Sequence, residues 1–233
     1  MKKSDHTLIE NHMLSCMKDS AHDRDHIYRV LYLALEIAQT EKNVDRDMLI
    51  CACLLHDIGR GEQFENPKLD HARVGAEKAS RFLLENHFPP NFVRKVCDCI
   101  RTHRYRAEDP PESLEAKILF DADKLDVTGA VGIARTLLYK GKVSEPLYSL
   151  WPDGTVSDGS DDDAPSFFQE YRYKLVHVYS RFFTQKALEI AKQRQQAAAD
   201  FYERLYGEVS RAYEAGAFLL QNCVEEDSSP IPI

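Results

Sequence analysis

Apolar residues recur at three- and four-residue spacings along nearly the whole chain. Nowhere do they alternate convincingly in the two-residue rhythm of a half-buried strand, so the chain reads as all-α. His26, Val30, Leu33 and Ile37 fall at i, i+4, i+7 and i+11, one face of one helix. Residues 48–55 are apolar on all sides, which marks a central buried helix. Gly59 and Gly61 follow it as stop signals. Asp70 is placed to cap a helix over 71–86, and Pro89-Pro90-Asn91 then resets the chain. Further helices are expected over 92–103 and 114–126, the latter striped by Leu114, Ile118, Ala122 and Leu125. Thr184 caps a long C-terminal stretch that runs through Ala191 to Leu205. The nearest approach to a strand is 176–179, but Leu175, Val178 and Phe182 return it to a helical pattern.

At 233 residues with 43% apolar side chains, the chain suits one large domain with a sizeable core. We expect that domain to span 1–224, with its chemistry in about 20–140, an acidic loop at 152–165, helices over 166–222 and a polar tail at 225–233. The loop carries Asp153, Asp158, Asp161, Asp162 and Asp163 without a base, and reads as a loose connector or a lid. The tail adds Glu225, Glu226 and Asp227. These eight acids account for the whole net charge of −8, so the remaining body is balanced. That argues against binding duplex nucleic acid through a basic face, and leaves room for a small anionic substrate.

No apolar run approaches the roughly 20 residues of a membrane span, and Met1–His6 leads into no apolar stretch, so neither a membrane helix nor a signal peptide is expected. Cys16, Cys51, Cys53, Cys97, Cys99 and Cys223 include no CxxC pair and read as buried thiols of a cytoplasmic protein. The long C-terminal helices bury their faces either internally or across a homodimer.

Four residues stand out. His26 sits on the first amphipathic stripe, His56-Asp57 ends the most apolar helix, and Asp123 lies within Asp121-Ala122-Asp123-Lys124-Leu125-Asp126. A buried His-Asp pair is costly unless paired or bound to metal. Two imidazoles and two carboxylates form a mixed nitrogen and oxygen set, better matched to Mn²⁺, Mg²⁺, Ni²⁺, Co²⁺ or Fe²⁺ than to structural zinc. Walker A, GxSxG and HExxH motifs are absent, which removes P-loop NTPases, serine hydrolases and zincins.

The order His, His-Asp, Asp resembles the HD superfamily of metal-dependent phosphohydrolases. The resemblance extends through 22–30, 52–60, His71-Ala72, 100–103, 121–126 and 129–135, and is similar to the small stand-alone bacterial HD hydrolases. It implies an all-α HD-domain helical bundle with additional C-terminal helices. It also implies metal ligation by His26, His56, Asp57 and Asp123, with Asp121 and Asp126 orienting imidazoles or Lys124. Lys124, Arg29 and Arg60 are the candidates for phosphate electrostatics, although either arginine serves equally as the partner of a carboxylate. His71 and His103 would contact phosphate, act as general acid or hold a second metal, and His22 would line the mouth.

The function implied is hydrolysis of a phosphoester or phosphoanhydride of a nucleotide or similar small phosphate by metal-activated water. A nucleoside triphosphate pyrophosphohydrolase or a phosphodiesterase is the finer form. A metal-containing nucleotide-binding or regulatory module without turnover is the alternative, and a nucleic-acid phosphodiesterase is a third, weakened by the missing basic excess.

Overall fold

In the computed structural model, residues 1–17, 24–104 and 109–224 are described. His22 and the tail at 225–233 lie outside them. Among the described residues the order is α1 (Lys3–Cys16), α2 (Arg24–Ala38), α3 (Arg46–Leu55), α4 (Arg60–Glu65), α5 (His71–Glu85), α6 (Pro90–Thr102), α7 (Leu114–Leu125), α8 (Gly129–Lys142), α9 (Phe167–Tyr173), a 3₁₀ turn (Leu175–Ser180) and α10 (Gln185–Cys223). The all-α expectation holds: no strand occurs among these residues, only one isolated bridge between Leu150 and Val156. No helix among them is long and apolar enough to cross a membrane.

Local chemistry starts the helices where side chains can accept orphan N–H groups. Asp45, Asp70, Ser113 and Thr184 each accept a backbone hydrogen bond at the first turn of α3, α5, α7 and α10. Each such cap contributes about 0.5–2 kcal/mol. The helix expected over 71–86 ends at Glu85, and the one expected over 92–103 runs from Pro90 to Thr102.

Packing then places the site. The α2 face carrying Ile27, Val30, Ala34 and Ile37 is fully buried, and α2 packs on α3 and α7. Helix α3 buries Leu49, Leu54 and Leu55 completely. Each such side chain contributes roughly 1.5–3 kcal/mol. Helices α5 and α6 pack on each other, α6 closes on α3, and α10 lies along α8.

Gly59 and Gly61 do not stop α3, which ends at Leu55, and Gly61 falls inside α4. Gly59 is needed for another reason. A Cβ there would lie 2.3 Å from the His71 carbonyl oxygen and 2.6 Å from the Gly75 nitrogen. The missing side chain lets α5 approach the end of α3, bringing His71 beside His56-Asp57. Gly129 serves a similar end. Its φ is +62°, and a Cβ would meet the Arg194 Cβ at 2.8 Å, so α10 sits directly against the start of α8.

The acidic segment is not a loose connector. Asp162 is buried and accepts hydrogen bonds from Ser149 and Ser157, while Asp158 accepts from Arg172 at 2.6 Å. The Tyr202 hydroxyl donates to the Asp158 carbonyl at 2.5 Å, tying the segment to α10. Composition alone hid this, because the acids act as acceptors for specific donors. Cys51, Cys53 and Cys99 are buried as expected, but Cys16 and Cys97 are only partly so and Cys223 is exposed on the projecting end of α10.

Candidate metal centre

His26 comes from the first turn of α2, His56 and Asp57 from the residues just after α3, and Asp123 from the last turn of α7. The structure brings all four together. His26 Nε2 lies 3.3 Å from His56 Nε2, 3.4 Å from Asp123 Oδ1 and 3.6 Å from Asp57 Oδ2. His71 at the start of α5 and His103 at the end of α6 stand on the other side of Asp57, at 3.3 and 3.5 Å from its Oδ1. Their own Nε2 atoms are 3.3 Å apart. His26, His56, Asp57, His71 and His103 are all buried, and Asp123 is partly so.

The outer ring nitrogens are all engaged. His56 Nδ1 donates to the Cys53 carbonyl at 2.8 Å and His103 Nδ1 to the Ile100 carbonyl at 2.6 Å. His71 Nδ1 donates to Gln63 Oε1 at 2.7 Å, and His26 Nδ1 to Asp126 Oδ2 at 2.7 Å. Every imidazole therefore turns Nε2 inward, the arrangement that partners outside a metal site impose on its ligands. Asp57 Oδ2 is buried without a hydrogen-bond partner, whereas Oδ1 accepts from Arg60 Nε at 3.0 Å. A buried carboxylate oxygen without a donor is costly unless a cation faces it. Two donor sets have atoms within 4.8 Å of one another, His26 with His56 and Asp123, and His56 with Asp57 and His103. The donor chemistry thus fits a divalent ion.

Electrostatics agree. Burial pushes His56 down to about 4 and His71 to about 2, despite the nearby Asp57, so both rings are neutral and offer lone pairs. With Nδ1 donating to Gln63, the inward Nε2 of neutral His71 presents its lone pair. Burial also opposes charge on His26, but Asp126 and Asp57 outweigh it and raise that ring to about 9. Asp57 is held well below the usual carboxylate range; burial works against this, and the Arg60 guanidinium and the charged His26 ring overcome it.

The remaining candidates sort differently. Arg29 forks Asp126 at 2.7 and 3.1 Å, so it is the partner of a carboxylate. Asp126 orients His26, as expected. Asp121 does not orient an imidazole: it accepts from Phe183 N, Thr184 N and Thr184 Oγ1, and so anchors the start of α10. Lys124 Nζ stands 5.5 Å from the centre of the Phe120 ring, in the field of Asp123, Lys174 and Arg181. Burial lowers its pKa against the pull of Asp123. Sequence reasoning missed Arg135, which donates to Asp126 at 2.7 Å, and Gln63, which holds His71. Each reaches its partner from a neighbouring helix, eight or nine residues away in sequence, at a spacing that matches no helix or strand repeat. A cleft of about 500 Å³ opens onto Asp57, between the end of α1 and α4, with Arg60, Phe64 and Lys78 among its walls.

Comparison with known proteins agrees with this geometry. Residues 24–128 match the HD domain family. A predicted HD superfamily hydrolase of known structure from an uncultured Thermotogales bacterium is 33% identical, covering 86% of this chain and 90% of its own, with a TM-score of 0.58. The uncharacterized Bacillus subtilis protein YpgQ is 27% identical over 188 residues, 81% of this chain and 84% of that one. Its structure in complex with ADP aligns with a TM-score of 0.68 at 24% identity, over 88% of this chain and 97% of that one. The Bacillus subtilis 3'-5' exoribonuclease YhaM is 26% identical over 140 residues, 54% of this chain and 45% of that one.

Proposed function

This chain belongs to the HD superfamily of hydrolases, and from that premise we propose that it is a divalent-metal-dependent phosphohydrolase acting on a nucleotide. The observation that carries the reading is the inward convergence of Nε2 atoms on Asp57, whose buried Oδ2 has no hydrogen-bond donor. His26, His56, Asp57 and Asp123 are the residues that would hold the ion. Held by these residues, a divalent ion would lower the pKa of a bound water toward neutrality and would offset charge on phosphoryl oxygens.

The chain's own groups do the rest. Asp126, with Arg29 and Arg135, fixes the His26 ring, and Arg60 fixes Asp57. The cleft onto Asp57 is in the range of small-molecule sites, with Arg60, Lys78 and Phe64 in its walls beside Glu62 and Glu65, and with Lys78 paired to Glu62 at 2.6 Å. Arg60 and Lys78 line it, and Lys124 is the third cation we assign to phosphate. Binding of ADP by YpgQ supports a nucleotide. The likeness to YhaM supports phosphodiester chemistry, but the net charge of −8 disfavours a nucleic-acid track.

The test is product identification. Metal-stripped protein would be given Mn²⁺, Mg²⁺, Ni²⁺, Co²⁺ or Fe²⁺ with nucleoside mono-, di- and triphosphates, cyclic nucleotides and a generic phosphodiester. Released phosphate or pyrophosphate names the bond cut. Tight nucleotide binding without products under every metal would instead assign a binding or regulatory module.

A further inference from the structure

On the far side of α4 from the cleft onto Asp57 lies a second, more open one of about 460 Å³. Its walls include Gln63, Lys68, Asp70, Arg73 and Arg104. Three cations thus face one carboxylate, in a chain whose net charge is −8. Asp70 lies 3.6 Å from Arg104 and offsets that charge. Among the described residues neither the Lys68 ammonium nor the Arg73 guanidinium has a hydrogen bond or an ion pair. Among the described residues that line it, the cleft therefore carries an excess of two positive charges.

The cleft also shares walls with the metal centre. Gln63 lines it and accepts from His71 Nδ1 at 2.7 Å, while His71 Nε2 is 3.3 Å from Asp57 Oδ1. Arg104 directly follows His103, whose Nε2 is 3.5 Å from the same oxygen. An anion seated here lies one side chain behind the imidazoles that face Asp57. Two guanidiniums and an ammonium around a polar hollow match a multiply charged phosphate group, because arginine recognises phosphate through paired N–H donors. We propose that this cleft is a binding site for a di- or triphosphate group. That group is either free inorganic pyrophosphate or the phosphate tail of a second nucleotide, because the substrate's own phosphates are assigned to the cleft onto Asp57. The proposal rests on the phosphohydrolase reading for its biological sense, but its test does not need turnover.

The experiment is calorimetric titration of inorganic pyrophosphate into the metal-stripped full chain, beside Lys68→Ala/Arg73→Ala, Arg104→Ala and a Lys192→Ala/Arg211→Ala control on α10. The account expects saturable one-to-one binding by the wild type and the control. It expects a loss of about tenfold or more in Lys68→Ala/Arg73→Ala, as fits two lost charge-assisted contacts, and a further weakening in Arg104→Ala. Absence of saturation, or equal affinity in the wild type and Lys68→Ala/Arg73→Ala, overturns the proposal.

Kinetics then separate the two sources. Loss in the variants of activation or inhibition by excess nucleoside triphosphate, with KM retained, assigns the site to a second nucleotide. A raised inhibition constant for pyrophosphate alone assigns it to the free anion. Pyrophosphate binding without any turnover would remove the hydrolase reading and leave this site standing.

Discussion

Asp126 Oδ2 lies 2.7 Å from His26 Nδ1, a hydrogen bond that spans 100 residues of sequence and joins α2 to the end of α7. The same carboxylate takes the Arg29 fork and Arg135. It therefore fixes the ring that turns Nε2 toward Asp57 and Asp123, and holds positive charge on that ring while no metal displaces it.

Asp126→Asn keeps the shape and removes the charge. Loss of such a partner typically weakens metal affinity by about 10–100-fold. Metal titration of stripped wild type and variant above pH 9, where His26 is largely unprotonated in both, should show that loss with the helical content unchanged. Equal affinities would mean that Asp126 does not act through His26.

Metal binding should be coupled to protons. Burial opposes charge on His26, yet Asp126 and Asp57 raise it from 6.5 to about 9. A raised histidine pKa stabilises the metal-free fold fully below the unfolded value and loses that contribution as pH climbs through about 9. The metal requires the deprotonated Nε2, so its affinity should rise about tenfold per pH unit from 7 towards 9, with near one proton released. His56 and His71, held neutral by burial at about 4 and about 2, add no proton in that window. Calorimetry in buffers of different ionisation enthalpy measures the proton count; a flat affinity from pH 7 to 9 would contradict the assignment.

Gly59→Ala should be severe for an exchange of one methyl group. The new Cβ would meet backbone atoms of His71 and Gly75, which have no rotamer with which to move aside. Overpacking of this kind costs about 1–3 kcal/mol or more. In a chain of this length that lowers Tm by roughly 2–4 °C per kcal/mol. Because His71 itself is displaced, activity should fall further than the stability loss explains. A variant with wild-type Tm would show that α5 has room to retreat.

Asp121→Ala separates an anchor from a ligand-orienting acid. It leaves Phe183 N, Thr184 N and Thr184 Oγ1 without their buried acceptor. An unsatisfied buried donor costs about 1–3 kcal/mol. Thermal melting should show a clear loss, whereas metal affinity should stay within about twofold, the opposite of Asp126→Asn. A large loss of metal affinity would return Asp121 to the metal centre.

The helices were legible in the sequence because their signals are local: caps at Asp70 and Thr184, and stripes such as that of His26, Val30 and Ile37. The set His26, His56, Asp57 and Asp123 was legible because ionisable residues inside apolar helices are expensive without a shared purpose. Arg135 and Gln63 were not, since a lone polar residue on a helix gives no hint of a carboxylate or imidazole brought to it by tertiary packing. The role of Gly59 was misread for the same reason: a stop signal and a close approach look alike in one dimension. In the acidic segment, composition counted charges but not the donors from Ser149, Ser157 and Arg172 that order them.

The most direct measurement is turnover of a nucleoside triphosphate against added Mn²⁺ by stripped wild type and Asp57→Ala, with circular dichroism confirming that both are folded. The account predicts activity that appears with metal in the wild type and is absent from Asp57→Ala at every metal concentration. Equal turnover in the two proteins, or activity in the stripped wild type that added metal does not change, would contradict it.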